Sequence, residues 1–331
     1  MKEALFWKHL EDGSIRCQLC PHECVISEGG DGHCRVRGVR QGCLQCLVYG
    51  GLAALHLDPI EKKPLYHFHP GGRILSLGTP GCNLSCAFCQ NWQISQTSIA
   101  SHNMLPEDLV DAARSQGSVG LAYTYSEPLV AYEFVLDCAR MAMDLGLKNV
   151  LVTNGFIQPK PLDMLLEWIH AANVDLKSIR DSFYREICGG SLAPVQRTIK
   201  TMKRRIHLEL THLMVTGKTD SEKDLREMVD WIAGELGEDT PLHLSRYFPQ
   251  YHFTVPETSL DRLVHGYELA KEKLTYVYIG NASPPGLDAT NTICPGCGAL
   301  AIERKSYRIH TLGLSQRGSC ANCGNPIAVV H

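Results

Sequence analysis

Short apolar runs and helix-period segments alternate along the middle of the chain. Arg73 to Leu77, Gly120 to Tyr125, Asn149 to Thr153, Val174 to Lys177, His207 to Val215, Pro241 to Tyr247 and Thr275 to Ile279 read as buried strands. Between them, Leu105 to Ser115, Leu129 to Leu145, Pro161 to Ala171 and Ser221 to Leu236 carry apolar residues at helical spacing. Pro106 opens the first of these segments and Gly146 stops the second. The alternation predicts an α/β fold with a parallel sheet and crossover helices. Six or seven such units suit a full or partial (β/α) barrel better than a two-domain doubly wound protein. Chemistry in such barrels sits at the carboxyl ends of the strands, so the polar residues after each run matter most.

Two flanks break the pattern. Residues 1–70 are rich in Cys, Gly and His with few long periodic runs, which predicts a metal-stapled or barrel-packed segment rather than an independent core. Asn281 to Asn291, with Ser283, Pro284, Pro285 and Gly286, reads as a linker. The organisation expected is a Cys-rich segment (1–70), a barrel (71–283) and a small terminal module (284–331). With 331 residues, 44% of them hydrophobic, the chain can bury a sizeable core. A net charge of −3 without a basic stripe gives no electrostatic case for nucleic acid or an anionic membrane. No apolar run approaches the roughly 20 residues of a membrane span, and the polar start lacks a signal-peptide core. A soluble, cytoplasmic protein is expected.

Cysteine changes the picture. Fifteen cysteines in a cytosolic chain point to metal ligation or thiol chemistry rather than disulfides, and most of them cluster. Gly78-Thr79-Pro80-Gly81-Cys82-Asn83-Leu84-Ser85-Cys86-Ala87-Phe88-Cys89 follows the first barrel strand and reads C-x3-C-x2-C. A 4Fe-4S cluster normally takes four cysteines, so Cys82, Cys86 and Cys89 would leave one iron open to a substrate or cofactor. An ordinary zinc or electron-transfer site is the alternative.

This spacing after strand one resembles the radical S-adenosylmethionine (SAM) superfamily over roughly 200 residues. The resemblance implies a partial, TIM-barrel-like fold, a 4Fe-4S cluster on Cys82, Cys86 and Cys89, SAM, and an electron donor of flavodoxin or ferredoxin type. Tyr125-Ser126-Glu127-Pro128 stands where the superfamily carries a Gly-Gly-Glu-Pro-like segment that holds the SAM amino group, with Tyr125 and Ser126 replacing the glycines. Without the cysteines, Glu127 would read as a helix N-terminal residue. Thr153-Asn154-Gly155 and Asp175-Leu176-Lys177 are similar to segments of pyruvate formate-lyase activating enzymes, the second a SAM contact there. Strand alternation points Asp175 and Lys177 to one face, where a structural ion pair is the alternative or an added role. Val215-Thr216-Gly217 is placed to lay backbone on the adenine. His243, Ser245 and Arg246 stand near the substrate end, with a core role the default for His243.

Two further constellations flank the barrel. Cys17, Cys20, Cys24 and Cys34 read C-x2-C-x3-C-x9-C, which fits a tetrahedral zinc site or an auxiliary iron-sulfur cluster, and Cys43 and Cys46 are positioned to exchange with them. This block, with Asp58-Pro59-Ile60-Glu61-Lys62-Lys63-Pro64 and the Gln90-Asn91-Trp92-Gln93 tail, narrows the resemblance to the radical SAM protein of the AmmeMemoRadiSam system. That resemblance implies association with the other proteins of the system, and a substrate that is a small molecule or a protein. Cys294, Cys297, Cys320 and Cys323 form two C-x2-C knuckles of a zinc-ribbon or rubredoxin-like module, holding zinc or iron. Cys138 reads as a core residue. Cys188, in a glycine-flanked loop, reads as packing or as a reactive thiol. An iron-sulfur electron carrier and a zinc-ribbon nucleic-acid binder are the competing classes; SAM binding separates the first and salt-dependent RNA or DNA binding the second.

Overall fold

The computed structural model describes residues 1–315 and 318–330. Its centre is an eight-stranded sheet in sequential order: β1 (Ala54–Pro59), β2 (Arg73–Gly78), β3 (Gly120–Tyr123), β4 (Lys148–Thr153), β5 (Ala171–Asp175), β6 (His207–Met214), β7 (Leu242–Arg246) and β8 (Val277–Gly280). Only β1 is antiparallel, running Ala54 to Pro59 against Gly78 to Arg73 of β2; the other pairings are parallel. The order is open, with β1 and β8 at the edges, so the barrel is partial. Sequential parallel order requires a crossover after each strand. These are α1 (Pro106–Ser115), α2 (Tyr132–Asp144), α3 (Pro159–Leu165), α4 (Leu192–Lys203), α5 (Glu222–Leu236) and α6 (Leu260–Lys271).

Three differences from the sequence pattern have physical reasons. The segment expected to be helical from Pro161 to Ala171 is a short helix, and its end is the start of β5. Ala171, Ala172 and Asn173 are small enough to lie between β4 and β6, paired to Val150 and His207 onward. Helices α4 and α6 contain Pro194 and Gly266, residues that weaken a helical reading, yet each buries one stripe: Leu192, Val195, Ile199 and Met202 in α4, and Leu263, Gly266, Leu269 and Ala270 in α6. Ala54–Pro59, assigned by its position to the Cys-rich segment, extends the main sheet instead.

The N-terminal segment forms two small antiparallel sheets, Lys2–Glu3 with Cys43–Cys46 and Arg37–Arg40, and Trp7–His9 with Ile15–Cys17 and Val25–Ile26. Its apolar residues Ala4, Ile15, Leu19, Ile26, Val39 and Leu44 belong to the same core as the barrel. One buried ion pair fixes it to α2. The Arg37 guanidinium donates to both Glu133 oxygens at 2.9–3.1 Å and to the Leu5 carbonyl at 2.8 Å.

Residues 60–69 close the bottom of the barrel. Glu209, fully buried near the start of β6, accepts from the Tyr66 and His67 backbone N–H groups at 3.0 and 2.7 Å. It also accepts from the rings of His207 and His243 at 3.0 and 2.7 Å. Burial alone would raise this carboxyl, but the two imidazole hydrogen bonds hold it well below the usual carboxylate range. His243 is therefore a core partner of Glu209, its default reading. The C-terminal module packs on the same end. Its three strands, Thr292–Ile293, Leu300–Lys305 and Arg308–Thr311, share a cluster with Tyr276 and Tyr278, and Arg304 donates to the Tyr66 carbonyl at 2.6 Å. Among the described residues no helix is long and apolar enough to cross a membrane.

Candidate metal and cofactor site

The loop after β2 carries Cys82, Cys86 and Cys89 into a cavity of about 360 Å3 at the carboxyl ends of the strands. That volume lies in the range of small-molecule sites. Each of the three sulfurs meets a polar group. Leu84 N–H points at Cys82 Sγ from 3.3 Å and Asn154 Nδ2 from 3.6 Å, while Cys89 Sγ lies 3.2 Å from Ser95 Oγ. Cys86 meets the thiol of Cys188, whose donation holds Cys86 below the ordinary thiol range and pushes Cys188 up. The loop is anchored on this same stretch: Ser85 N–H donates to the Cys188 carbonyl at 2.8 Å and Ala87 N–H to Ile187 at 3.0 Å. Gly189 permits the approach, since a Cβ there would stand 2.4 Å from Ser85 Oγ.

The other walls come from successive strand ends. Glu127, fully buried after β3, caps the following turn by accepting from Leu129 N–H at 3.1 Å. It also clasps the next strand, accepting from Thr153 Oγ1 at 2.7 Å and Asn154 N–H at 2.8 Å. Burial outweighs these donors and pushes its carboxyl up to about 7. Both carboxylate oxygens thus have protein partners, and the helix-terminal role is realised. Asn154 reaches back with Nδ2 to Asn83 Oδ1 at 2.9 Å, tying the end of β4 to the cysteine loop. Asp175 and Lys177 line the cavity and pair at 3.0 Å, the ion pair that the sequence left open. Tyr125 adopts a left-handed backbone (φ +67°), which turns its hydroxyl onto the Asp58 carboxylate; Ser126 Oγ donates to the Thr79 carbonyl. Gly217 lies outside the cavity lining, and Leu213 and Thr211 represent β6 there instead. Ser245 lines the cavity, while Arg246 turns to Glu257 at 2.6 Å.

Sequence reasoning missed one wall. Lys62, Lys63 and Pro64 enter from the segment that closes the barrel floor. Lys63, almost wholly buried, donates to Asp58 at 2.8 Å and sits 4.4 Å over the Tyr125 ring. Burial opposes the Asp58 anion, but the hydrogen bonds from Lys63 and Tyr125 hold its carboxyl down at about 2. The Asp58-to-Pro64 stretch gave no strand-end signal.

At the C-terminus, Cys294, Cys297, Cys320 and Cys323 bring their sulfurs within 4.8 Å of one another. The Cys294–Cys323 and Cys297–Cys320 separations are both 3.7 Å. A tetrahedron of 2.3 Å metal–sulfur bonds has edges of about 3.8 Å, so the four thiols fit one ion. Among the described residues no other set of three or more ligand groups is gathered so tightly.

The sequence profile of the Radical SAM superfamily matches residues 76–232, the stretch that holds the three-cysteine loop and strands β3 to β6. Over its full length the chain is 42% identical to the Uncharacterized protein MJ0808 of Methanocaldococcus jannaschii, covering 100% of both, and it belongs to that protein's family. It is 26% identical to the Pyruvate formate-lyase 1-activating enzyme of Escherichia coli K12, over 54% of this chain and 75% of that protein. It is also 26% identical to a Probable GTP 3',8-cyclase of Methanosarcina mazei, over 48% of this chain and 50% of that protein. A domain of pyruvate-formate lyase-activating enzyme from Bacteroides vulgatus superposes with a TM-score of 0.43 at 16% identity, over 49% of this chain and 99% of that one.

The superfamily uses a 4Fe-4S cluster with SAM, and the donors here fit that pair. Three thiols from one loop meet N–H and thiol donors of the kind that support cluster sulfurs. The cavity beside them carries both an anionic and a cationic side chain, Asp175 and Lys177.

Proposed function

We propose that this enzyme cleaves SAM reductively and uses the resulting radical on a substrate of the AmmeMemoRadiSam system. When bound, the cluster and SAM supply one-electron cleavage to methionine and a 5'-deoxyadenosyl radical. The observation that carries the reading is the convergence of Cys82, Cys86 and Cys89 with Asp175 and Lys177 on one cavity. Cys82, Cys86 and Cys89 hold the cluster. Asp175 and Lys177 offer a carboxylate and an ammonium to the polar ends of an amino acid, and Asn154 and Glu127 keep the cysteine loop and strand ends in register. The walls contributed by Phe88, Leu84 and Leu213 limit water around the reacting centre.

Anaerobic reconstitution with iron and sulfide, then reduction with SAM, tests the reading. Wild type should release 5'-deoxyadenosine, and source lysate should raise the rate. Cys86→Ala should bind less iron and release none; normal release by that variant would sink the assignment. No release from fully loaded wild type, with or without lysate, would favour an iron-sulfur electron carrier.

A second reading, activation of a glycyl-radical enzyme, draws on the similarity to the activating enzyme over 54% of the chain. Fractionating the lysate by size separates the two: a glycyl radical signal in the protein fraction supports the second reading. A flavodoxin- or ferredoxin-type donor would supply the electron. Fifteen free cysteines suit the reducing cytoplasm.

A further inference from the structure

We propose that the wall formed by Lys62, Lys63 and Tyr125 is a substrate subsite. It takes the oxyanion, a carboxylate or a phosphate, of a small molecule whose reacting end reaches the cavity beside Cys82, Cys86 and Cys89. The inference rests on the radical reading of that cavity and names the class of its substrate. A second recess of about 490 Å3 lies against this wall, lined by His56 and Asp58 of β1 together with Lys62, Lys63 and Tyr125. The last three line the main cavity too, so the two spaces meet there. β1 is an edge strand of the open sheet, and alternation puts His56 and Asp58 on one face of it.

The charges at this wall do not balance. Asp58 accepts from Lys62 Nζ at 3.1 Å, from Lys63 Nζ at 2.8 Å and from the Tyr125 hydroxyl, and these donors keep it ionised. Among the described residues it is the only acid paired with either lysine, which leaves two ammonium groups for one carboxylate. Burial presses the Lys63 ammonium below the ordinary lysine range against the pull of Asp58, and Lys62 adds to the push. An incoming oxyanion would offset both. Lys62 is the group that can meet it. Its side chain is 43% exposed, it gives one N–H to Asp58, and its other neighbour is the Tyr307 ring, 5.5 Å away. An ammonium has three donors, so two remain for the ligand. By contrast Asp175 and Lys177, which the radical reading gives to the polar ends of SAM, form a balanced pair.

The wall is built, and it is tied to the cysteine loop. The left-handed backbone of Tyr125 costs a non-glycine residue free energy, and Gly78 makes room for the side chain it presents: a Cβ there would stand 3.0 Å from Tyr125 Cβ. Asn91, two residues after Cys89, donates from Nδ2 to the Tyr125 carbonyl at 2.8 Å. An anion held on Lys62 is therefore fixed relative to the three thiols.

Trace acylation with a succinimidyl ester, read by mass spectrometry, reports the reactivity of each lysine in the reconstituted full-length protein. Inorganic phosphate and acetate are the probes, each compared with chloride at equal ionic strength. One or both should slow acylation of Lys62 by at least about threefold, the factor reached at twice the dissociation constant, and leave the exposed Lys8 and Lys223 unchanged. The anion that acts at the lower concentration identifies the substrate group. Asp58→Asn removes the competing carboxylate, so the same protection should appear at about tenfold lower anion concentration. If that variant fails to fold by circular dichroism, the wild-type series decides. No slowing at Lys62, equal slowing at Lys8 and Lys223, the same protection by SAM alone, or no gain in a folded Asp58→Asn would overturn the proposal. Neither readout uses SAM cleavage. Lost protection with 5'-deoxyadenosine release intact refutes the subsite alone, and protection without release upholds the anion site while refuting the radical reading.

Discussion

Glu209 organises the barrel floor, and removing it should cost more stability than any surface change. Its carboxylate takes four donors in a fully buried site: the Tyr66 and His67 N–H groups and the His207 and His243 rings. Glu209→Ala leaves two backbone donors and two imidazoles without an acceptor. Breaking a buried charged network from one side costs about 3–5 kcal/mol. At roughly 2 °C per kcal/mol for a chain of this size, Tm should fall by about 6–10 °C. Glu209→Gln keeps one acceptor oxygen. Each carboxylate oxygen serves one backbone N–H and one histidine, so either amide orientation leaves one backbone N–H facing an NH2. That predicts an intermediate loss of about 1–3 kcal/mol. The pH dependence follows from the depressed carboxyl. Between its folded value and the unfolded value of about 4.3, the folded chain binds fewer protons than the unfolded one, so the contribution is full above that range and shrinks on acidification. The gap between wild type and Glu209→Ala should therefore narrow below about pH 4. Thermal unfolding under argon, followed by circular dichroism at several pH values, checks this. Equal shifts for the Ala and Gln variants, or an Ala loss under about 1 kcal/mol, would refute the network account.

Other perturbations separate the site from the scaffold. Asp175→Asn removes the partner of Lys177 at the cavity wall without touching a cysteine; SAM-dependent 5'-deoxyadenosine release should drop about tenfold, a loss of about 1.4 kcal/mol, with iron content unchanged. Cys297→Ser opens the C-terminal site at an exposed corner; one metal per chain should be lost by elemental analysis while the iron-sulfur absorbance of the barrel persists. Thr153→Val removes one of three donors to Glu127; stability should fall by about 1 kcal/mol at neutral pH, read as a Tm shift of about 2 °C, with the cluster still loaded.

Local patterns made the strands and the cysteine loop legible. A parallel strand buried on both faces is a short apolar run, and Arg73–Gly78, Lys148–Thr153 and His207–Met214 announce themselves that way. Strand Ala171–Asp175 was legible only at its end, where the expected strand Val174 to Lys177 overlaps it, because alanine and asparagine carry no strand signal and only their neighbours' packing selects them. Ligand spacing within one loop is equally local, so Cys82, Cys86 and Cys89 could be read directly. What stayed hidden is contact across long sequence separation. The Cys188 thiol meets Cys86, Glu209 draws residues 66–67 into the barrel, and Asp58 and Lys63 both meet Tyr125. Glu127 was legible as a residue of the site, whereas its role as cap and clasp depends on where Thr153 and Asn154 end the next strand.

These long-range contacts also explain why the Cys-rich segment does not behave as a separate appendage. Gly81, one residue before Cys82, adopts φ +94° against it; a Cβ there would meet the Cys34 carbonyl at 2.9 Å and Val36 at 2.5 Å. The His22 ring donates to the Asn83 carbonyl at 2.7 Å, and the Asn83 side chain in turn holds Asn154 below Cys82. On the other side, Arg37 ties the same segment to Glu133 of α2. The cysteine loop is thus clamped between strand ends on one face and the N-terminal block on the other. A rigid loop is what a three-thiolate site needs, because three sulfurs must keep their geometry while a fourth position exchanges ligands. Loosening the N-terminal block should therefore disturb both ends of the loop, because Arg35 of that block donates to the carbonyl of Ser95, whose hydroxyl meets Cys89.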